Sequence, residues 1–332
     1  MEPQIRQTVA SAAQNIPAAA AWPLLCELGV VAFALPAWAG GFDLGQAAAV
    51  AVASELGRRG ECTPYLGTVF AADCIAGLGP GGGRQELLAE LASGQRIVSA
   101  VVPQASRGHG SRLVRAGTGL VARGCAGPAC RGDSLTELFF VSQPATGPGP
   151  VFALGAARSA RRSGLGTVVL DDTPAEPLTG PPIAAVLAGA IARARLRQAA
   201  YLAGLAAGAV DLARRHAVAR RQFGSVLADF QSVRFRLAAL IARVTAVELL
   251  VADTARRQDD AEPAHAAAAQ ALAMAAELAL RATRDAVHLH GASGLAASAP
   301  VAACYQTAAC EAPRLGVPAD LWREATDDQE VK

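Results

Sequence analysis

Charge is scarce in this 332-residue sequence: Asp, Glu, Lys and Arg make up 17% of it, and Lys occurs only as Lys332. Thirty basic residues stand against 28 acidic ones, a net charge of +2. That balance argues against nucleic acid as a partner, because phosphate binding needs clustered positive charge. Arg in place of Lys, beside abundant Ala and Gly, reads as a compositional bias of the source rather than as chemistry. Long uninterrupted hydrophobic runs are missing too. The longest apolar stretch, Ile16 to Gly40, is broken by Pro17, Pro23, Glu27 and Pro36, so it does not read as a membrane span. No positively charged start leads into an apolar segment, and Glu2 comes early, so a cytoplasmic protein is expected. The seven Cys are odd in number and scattered, which argues against a disulfide framework. Neither Cys125 with Cys130 nor Cys304 with Cys310 has His at metal-ligand spacing, and both pairs read as small buried apolar residues.

Apolar residues, by contrast, make up 52% of the chain, and mean hydropathy is +0.29. These values exclude intrinsic disorder and imply large buried surfaces, an oligomer interface among them. The length calls for two or three packed regions, and composition divides the chain into three. Residues 1–95 read as helices and loops, with helices over Ala20–Leu28, Ala47–Leu56 (stopped by Gly57 as a left-handed cap) and Arg84–Leu91. Residues 96–180 carry short apolar runs between Gly, Pro, Ser and Asp. Strands are expected at Ile97–Val102, Leu120–Ala122, Leu138–Val141, Val151–Leu154 and Gly166–Leu170, as a small antiparallel barrel or sandwich. Residues 181–332 return to long helices. Val233, Leu237, Leu240, Ile241, Val244, Val247 and Val251 recur at three- and four-residue steps, marking an amphipathic helix. Pro263 suits the first turn of the next helix. The fold class is therefore α+β, with a β segment between two helical regions.

Two stretches carry possible chemistry. Arg220-Arg221-Gln222-Phe223-Gly224 precedes Asp229-Phe230-Gln231; taken alone it reads as a basic helix end complementing the macrodipole, then a Gly turn. In His288-Leu289-His290-Gly291-Ala292-Ser293-Gly294, two His at i and i+2 cannot share a helix face, which argues against a metal site. The glycines suit either close backbone approach to a phosphate or a plain helix stop.

Together, at this separation and behind a β region, the two stretches resemble the C-terminal domain of acyl-CoA dehydrogenases. That family shows Arg-x-x-Phe-Gly, a Gln seven or eight residues after the Phe, and a Gln-x-His/Leu-Gly-Gly-x-Gly motif. Pro300-Val301 stands where the family has a Pro-Val pair. Cys26-Glu27-Leu28-Gly29-Val30, Pro36 to Gly41 and Glu55-Leu56-Gly57-Arg58 resemble its N-terminal segments. The resemblance implies an N-terminal helical domain, a middle β-barrel and a C-terminal four-helix bundle, with FAD bound between domains and across a subunit interface. It implies that Arg220 reaches the diphosphate of a neighbouring subunit's FAD, for which a guanidinium's paired donors are suited. Phe223 would pack on the cofactor edge, or be ordinary core. Gln231 would meet the adenosine portion, or be a solvated helix start. Gly291 and Gly294 would bring backbone near the adenine half. His288 stands for the family Gln, and Ala292 for a family Gly.

The family's catalytic base, a Glu that removes the α-proton, has two alternative positions. Gapless counting puts one at Leu315, before Gly316, and the other at Ala194, beside Arg195, which matches a family Arg. Neither Leu nor Ala accepts a proton. Glu311, one turn before Leu315, is a substitute candidate or a surface Glu. The segment Val102 to Ser111 stands where the family has Thr-Glu-Pro-x-x-Gly-Ser-Asp, and has lost the Thr and both acids. His109 within it is a loop His or a replacement acid–base group. The implied function is α,β-dehydrogenation of a CoA or carrier-protein thioester by a base-lacking subunit, in a homo- or hetero-oligomer with a Glu-bearing sister, passing electrons to an electron-transfer flavoprotein. The alternatives are a repurposed fold doing lyase, isomerase or cyclase chemistry, and a flavin-free, non-catalytic subunit.

Overall fold

The computed structural model describes residues 4–5, 7–8, 11, 18–61, 63–101, 112–117, 119–129, 137–142, 151–156, 166–178 and 183–330. The chain forms two compact units. One comprises Ser11–Ala49 and Thr63–Ala194; the other comprises Met1–Ala10, Val50–Cys62 and Arg195–Lys332.

The first unit holds the sheet. Helices α1 (Ala18–Glu27), α3 (Tyr65–Gly77) and α4 (Arg84–Ala92) belong to it, with the start of α2 (Gly45–Arg58). Helix α3 is buried on most sides and packs on strand β1 (Val98–Val101). The Thr68 hydroxyl donates to the Val98 carbonyl at 3.3 Å. Phe70 meets Phe139 edge-on at 6.1 Å, and Phe139 meets Phe152 at 5.3 Å, so helix and sheet share one aromatic core. Sequence reading misses α3 because Tyr65 to Gly77 is apolar all round and shows no amphipathic period.

The sheet differs from the expected barrel. Its strands are β1, β2 (Arg112–Ala116), β3 (Gly119–Ala129), β4 (Glu137–Ser142), β5 (Val151–Ala156) and β6 (Gly166–Leu178). They lie in the order β1-β4-β5-β6-β3-β2, as one open sheet among the described residues. β1 runs parallel to β4 and the other pairings are antiparallel. The edge strands β1 and β2 have only four and five residues, and α3 covers β1. Closure needs tilted strands in a consistent stagger around the whole ring, and no β1–β2 ladder supplies it here. The long central strands β3 and β6 bend through two register shifts, after Ala122 and after Ala126. Their length is hidden in the sequence by Gly124, Pro128, Pro174 and Pro177. Arg96 ties the sheet to α4, donating to Glu90 and to both carboxylate oxygens of Glu137.

The second unit is helical. It contains the end of α2, most of α5 (Ile183–Ala219), then α6 (Gln231–Asp259), α7 (His265–His290), α8 (Pro300–Glu311) and α9 (Pro318–Glu330). Among the described residues no helix is long and apolar enough to cross a membrane. Gly57 does not cap α2, which runs on to Arg58. Its role is proximity. A Cβ there would lie 1.9 Å from the Tyr201 carbonyl oxygen of α5. Cβ atoms on Gly204 and Gly208 would lie 2.0 Å from the Ser54 oxygen and 2.1 Å from the Arg58 oxygen. The backbones of α2 and α5 therefore touch along two turns. Arg58 closes the contact by donating to Asp211 at 3.0 Å. Gly204→Ala is expected to destabilise the protein by about 1–3 kcal/mol or more, because the methyl meets backbone that cannot rotate away. A lower urea midpoint at unchanged slope is the readout.

Candidate functional site

The Arg220 motif forms a hairpin rather than a simple helix end. Helix α5 stops at Ala219, and β7 (Arg221–Gln222) pairs with β8 (Ser225–Val226). The Arg220 amide donates to the His216 carbonyl at 2.8 Å, and the Leu227 amide donates to the Arg220 carbonyl at 2.8 Å. At the tip, Phe223 and Gly224 both have positive φ, 49° and 84°, as a two-residue type I′ turn requires. Gly accepts this freely, whereas Phe is held there at a cost of about 1–2 kcal/mol. Phe223 is 93% exposed, so it is not core. A strained, solvent-facing aromatic is an observation that points toward function.

The end of α7 comes to the same place. His290 stacks on His216 with ring centroids 4.1 Å apart and 26° between planes. His290 Nδ1 donates to the Ala286 carbonyl at 2.7 Å. On α6, Arg236 Nη1 donates to His288 Nδ1 at 3.4 Å, so a neutral His288 carries its proton on Nε2. Arg220 is exposed. None of His216, Arg220, Arg236, His288 and His290 bonds to a carboxylate among the described residues. Partial burial, then His290, then Arg220 push the His216 pKa below its ordinary value. No carboxylate is therefore paired with the cluster. Gln231, also exposed, opens α6.

The glycines after α7 have reasons within the chain. Gly291 sits at φ 63°, ψ −143°, which side chains rarely adopt, and nothing lies within 4 Å of a Cβ built there. Its backbone is open to a ligand. Gly294 is buried, and a Cβ on it would meet the Val287 oxygen at 2.7 Å. It is needed for packing on α7.

The two base positions lie elsewhere. Ala194 is buried, early in α5. Helix α8 ends at Glu311, so the chain is not helical from there to Leu315. Leu315 sits in a turn at φ 66°, followed by Gly316 at φ 140°. Arg195 Nε donates to the Leu315 carbonyl at 3.2 Å, while its other nitrogens bind Glu324 of α9. Glu311 is not a surface residue; it is only 4% exposed. Gln198 Nε2 donates to its carboxylate at 3.0 Å, and Arg314 donates to both carboxylate oxygens at 2.9 and 3.0 Å. These donors occupy the lone pairs a base would use. The segment from Val102 to Ser111, with His109, lies outside the described residues.

Sequence reasoning singles out Arg220, Phe223, His288 and Gly291; the fold adds His216 and Arg236 beside them. His216 does carry a signal, four residues before Arg220, in the last turn of α5. Its partner His290 is 74 positions away, and only folding joins them.

The helix–sheet–helix order and the Arg-x-x-Phe-Gly hairpin define a dehydrogenase-type scaffold. The family model of the acyl-CoA dehydrogenase N-terminal domain matches residues 1–95, and that of the C-terminal domain matches residues 184–316. Acyl-CoA dehydrogenase IpdE2 of Mycolicibacterium smegmatis is 28% identical over 308 residues, 91% of this chain and 85% of that protein. A 3-(aryl)acrylate reductase of Clostridium sporogenes is 38% identical over 100 residues. That match covers 30% of this chain and only 26% of the reductase. The solved ChsE4-ChsE5 complex from Mycobacterium tuberculosis has the same fold, with TM-score 0.83 and 22% identity over 100% of this chain and 97% of that one. This chain belongs to the acyl-CoA dehydrogenase family.

The His pair makes stability depend on pH. A His whose folded pKa lies below its unfolded value, near 6.5, favours the neutral ring in the fold. The fold then loses stability as pH falls below about 6.5, where the unfolded chain binds the extra proton. The thermal midpoint is expected to drop between pH 7 and pH 5, with a shallower slope in His216→Phe. An equal slope in both proteins contradicts the assignment.

Proposed function

We propose that this chain is a flavin-binding, base-lacking subunit of a heteromeric acyl-CoA dehydrogenase-type oxidoreductase. The observation that carries the reading is the exposed Arg220 guanidinium, without a carboxylate partner, in a cluster of basic side chains. Such a donor set fits the diphosphate of FAD. Arg220 would hold the diphosphate, Phe223 would cover the cofactor edge, and Gln231 would offer its amide to the adenosine portion. His288, Gly291 and Gly294 would border the adenine half. Bound FAD would supply the hydride acceptor for α,β-dehydrogenation of a CoA or carrier-protein thioester.

Arg195 lies in α5 and Arg220 directly follows its last residue, 25 positions on, about 37 Å along the helix axis. The Leu315 turn held by Arg195 and the anion-binding end thus belong to different stations. This supports Arg220 serving the cofactor of a neighbouring subunit. The α-proton acceptor comes from a Glu-bearing sister chain, since Ala194 and Leu315 cannot accept a proton and Glu311 is engaged by Arg314 and Gln198. That ChsE4-ChsE5 is itself a complex of two chains agrees with this reading. An electron-transfer flavoprotein is the electron acceptor, and an Etf complex subunit occurs among the relatives.

Arg220→Ala is expected to weaken flavin binding about 10- to 100-fold, read as lost visible flavin absorbance after desalting. Unchanged occupancy rejects the site. The flavin-loaded chain alone is expected not to oxidise acyl-CoA. Leu315→Glu, which adopts a backbone conformation that Leu already holds, is expected to confer measurable oxidation. Activity of the unaltered chain alone rejects the base-lacking reading.

A further inference from the structure

Two rings of the basic cluster have no task in holding flavin as described above. His216 and His290 lie face to face, with centroids 4.1 Å apart. His290 spends its Nδ1 proton on the Ala286 carbonyl, so in the neutral ring Nε2 is a bare acceptor. His216 is half-buried and makes no hydrogen bond with any described residue. An imidazole with neither nitrogen engaged is an unspent acid–base group. Two imidazolium rings in this stack would repel, so the pair accepts one proton rather than two.

The surroundings decide when it does so. On α5 the neighbouring charged groups are Asp211, Arg214 and Arg215. Asp211 is taken by Arg58 at 3.0 Å and lies 3.9 Å from Arg214. On α7 they are Arg284, Asp285, His288 and His290, and Asp285 lies 3.9 Å from Arg281. The hairpin and the turn after it bring Arg220, Arg221 and Asp229, and α6 brings Arg236 to His288. Partial burial, then His290, then Arg220 disfavour the charged form of His216. The Arg220 amide bonds back to the His216 carbonyl at 2.8 Å, and Gly291, directly after His290, leaves open backbone. An anion seated here offsets the guanidinium and favours a charged His216. A charged His216 then adds a charge-assisted donor to the anion.

We propose that His216 is a further anion-binding residue, which takes up one proton from solvent when a diphosphate diester settles beside Arg220, with His290 stacked neutral against it. The proposal rests on the flavin reading for the identity of the ligand. It adds that binding and protonation are linked, each strengthening the other by the same factor.

The test titrates FAD into the full chain freed of flavin, in buffers of different ionisation enthalpy, so that the heat reports proton uptake. ADP-ribose, which carries a diphosphate diester without flavin, is titrated alongside. Near pH 6.5 about 0.3 to 1 proton is expected to be taken up per FAD bound, and affinity is expected to rise about three- to tenfold from pH 8 to pH 6. Affinity rises as pH falls because the complex holds its proton at a pH where the free chain has lost it. His216→Phe is expected to abolish both the uptake and the pH slope. His216→Gln, which has no titratable nitrogen either, is expected to do the same, so a folding defect in one variant does not decide the outcome. His265→Phe, exposed at the far end of α7, is expected to keep both effects. FAD that binds without proton uptake overturns the proposal and leaves the flavin reading standing. Uptake undiminished in both His216 variants also overturns it. If FAD fails to bind while ADP-ribose binds with an uptake that needs His216, the flavin reading fails and this proposal is supported. If neither ligand binds at any pH, both fall.

Discussion

The helical unit depends on two backbones touching. Gly57 on α2 and Gly204 and Gly208 on α5 leave no room for a Cβ, so main chain lies against main chain where side chains would usually intervene. The same economy runs through α7, whose buried face is largely alanine. Small residues gain little from burial individually, but close backbone approach recovers dispersion contacts that larger side chains would otherwise provide. The contact holds one side of α5, a helix of 37 residues. Everything proposed for function is measured along it: Arg195 with the Leu315 turn at one station, His216 and Arg220 at the other.

Electrostatics at the second station follow from where helices stop. α5 and α7 both end there, and the unpaired carbonyls of a helix C-terminus carry partial negative charge. Those dipoles let His216, Arg220, His288 and His290 gather without a carboxylate. They do not fully offset them, since, after partial burial, His290 and then Arg220 also push the His216 pKa down. A site with that residual repulsion gains from an anion. A guanidinium held in a carboxylate pair would have lost that capacity to its partner.

How much of this is legible in sequence depends on whether the signal is local. The helical regions, the amphipathic period of α6 and the Arg-x-x-Phe-Gly stretch are written in neighbouring residues, and family membership follows from them. α3 escapes because full burial erases its period. β2 and the outer halves of β3 and β6 escape because Arg, Gly and Pro in them mimic loops. Sheet closure is invisible in principle: strands can be recognised one by one, while a missing β1–β2 ladder is a property of all six. Gly57 misleads for a related reason. A glycine near a helix end suggests a cap, and only the position of Tyr201 shows that it is a contact. At the site, the His216–His290 stack needs two helix ends to meet, and no spacing encodes that.

The Leu315 turn separates geometry from chemistry. Leu at φ 66° costs about 1 kcal/mol relative to an ordinary backbone conformation, and something must hold it. Arg195 holds the carbonyl of Leu315 and bridges to Glu324, and Arg314 next door is held by Glu311, itself held by Gln198. These groups fix a turn whose central side chain is apolar and cannot move a proton. The ionisable groups nearby are spent on one another, so the turn supplies shape. Any proton transfer at this station therefore needs an acceptor from outside the cluster.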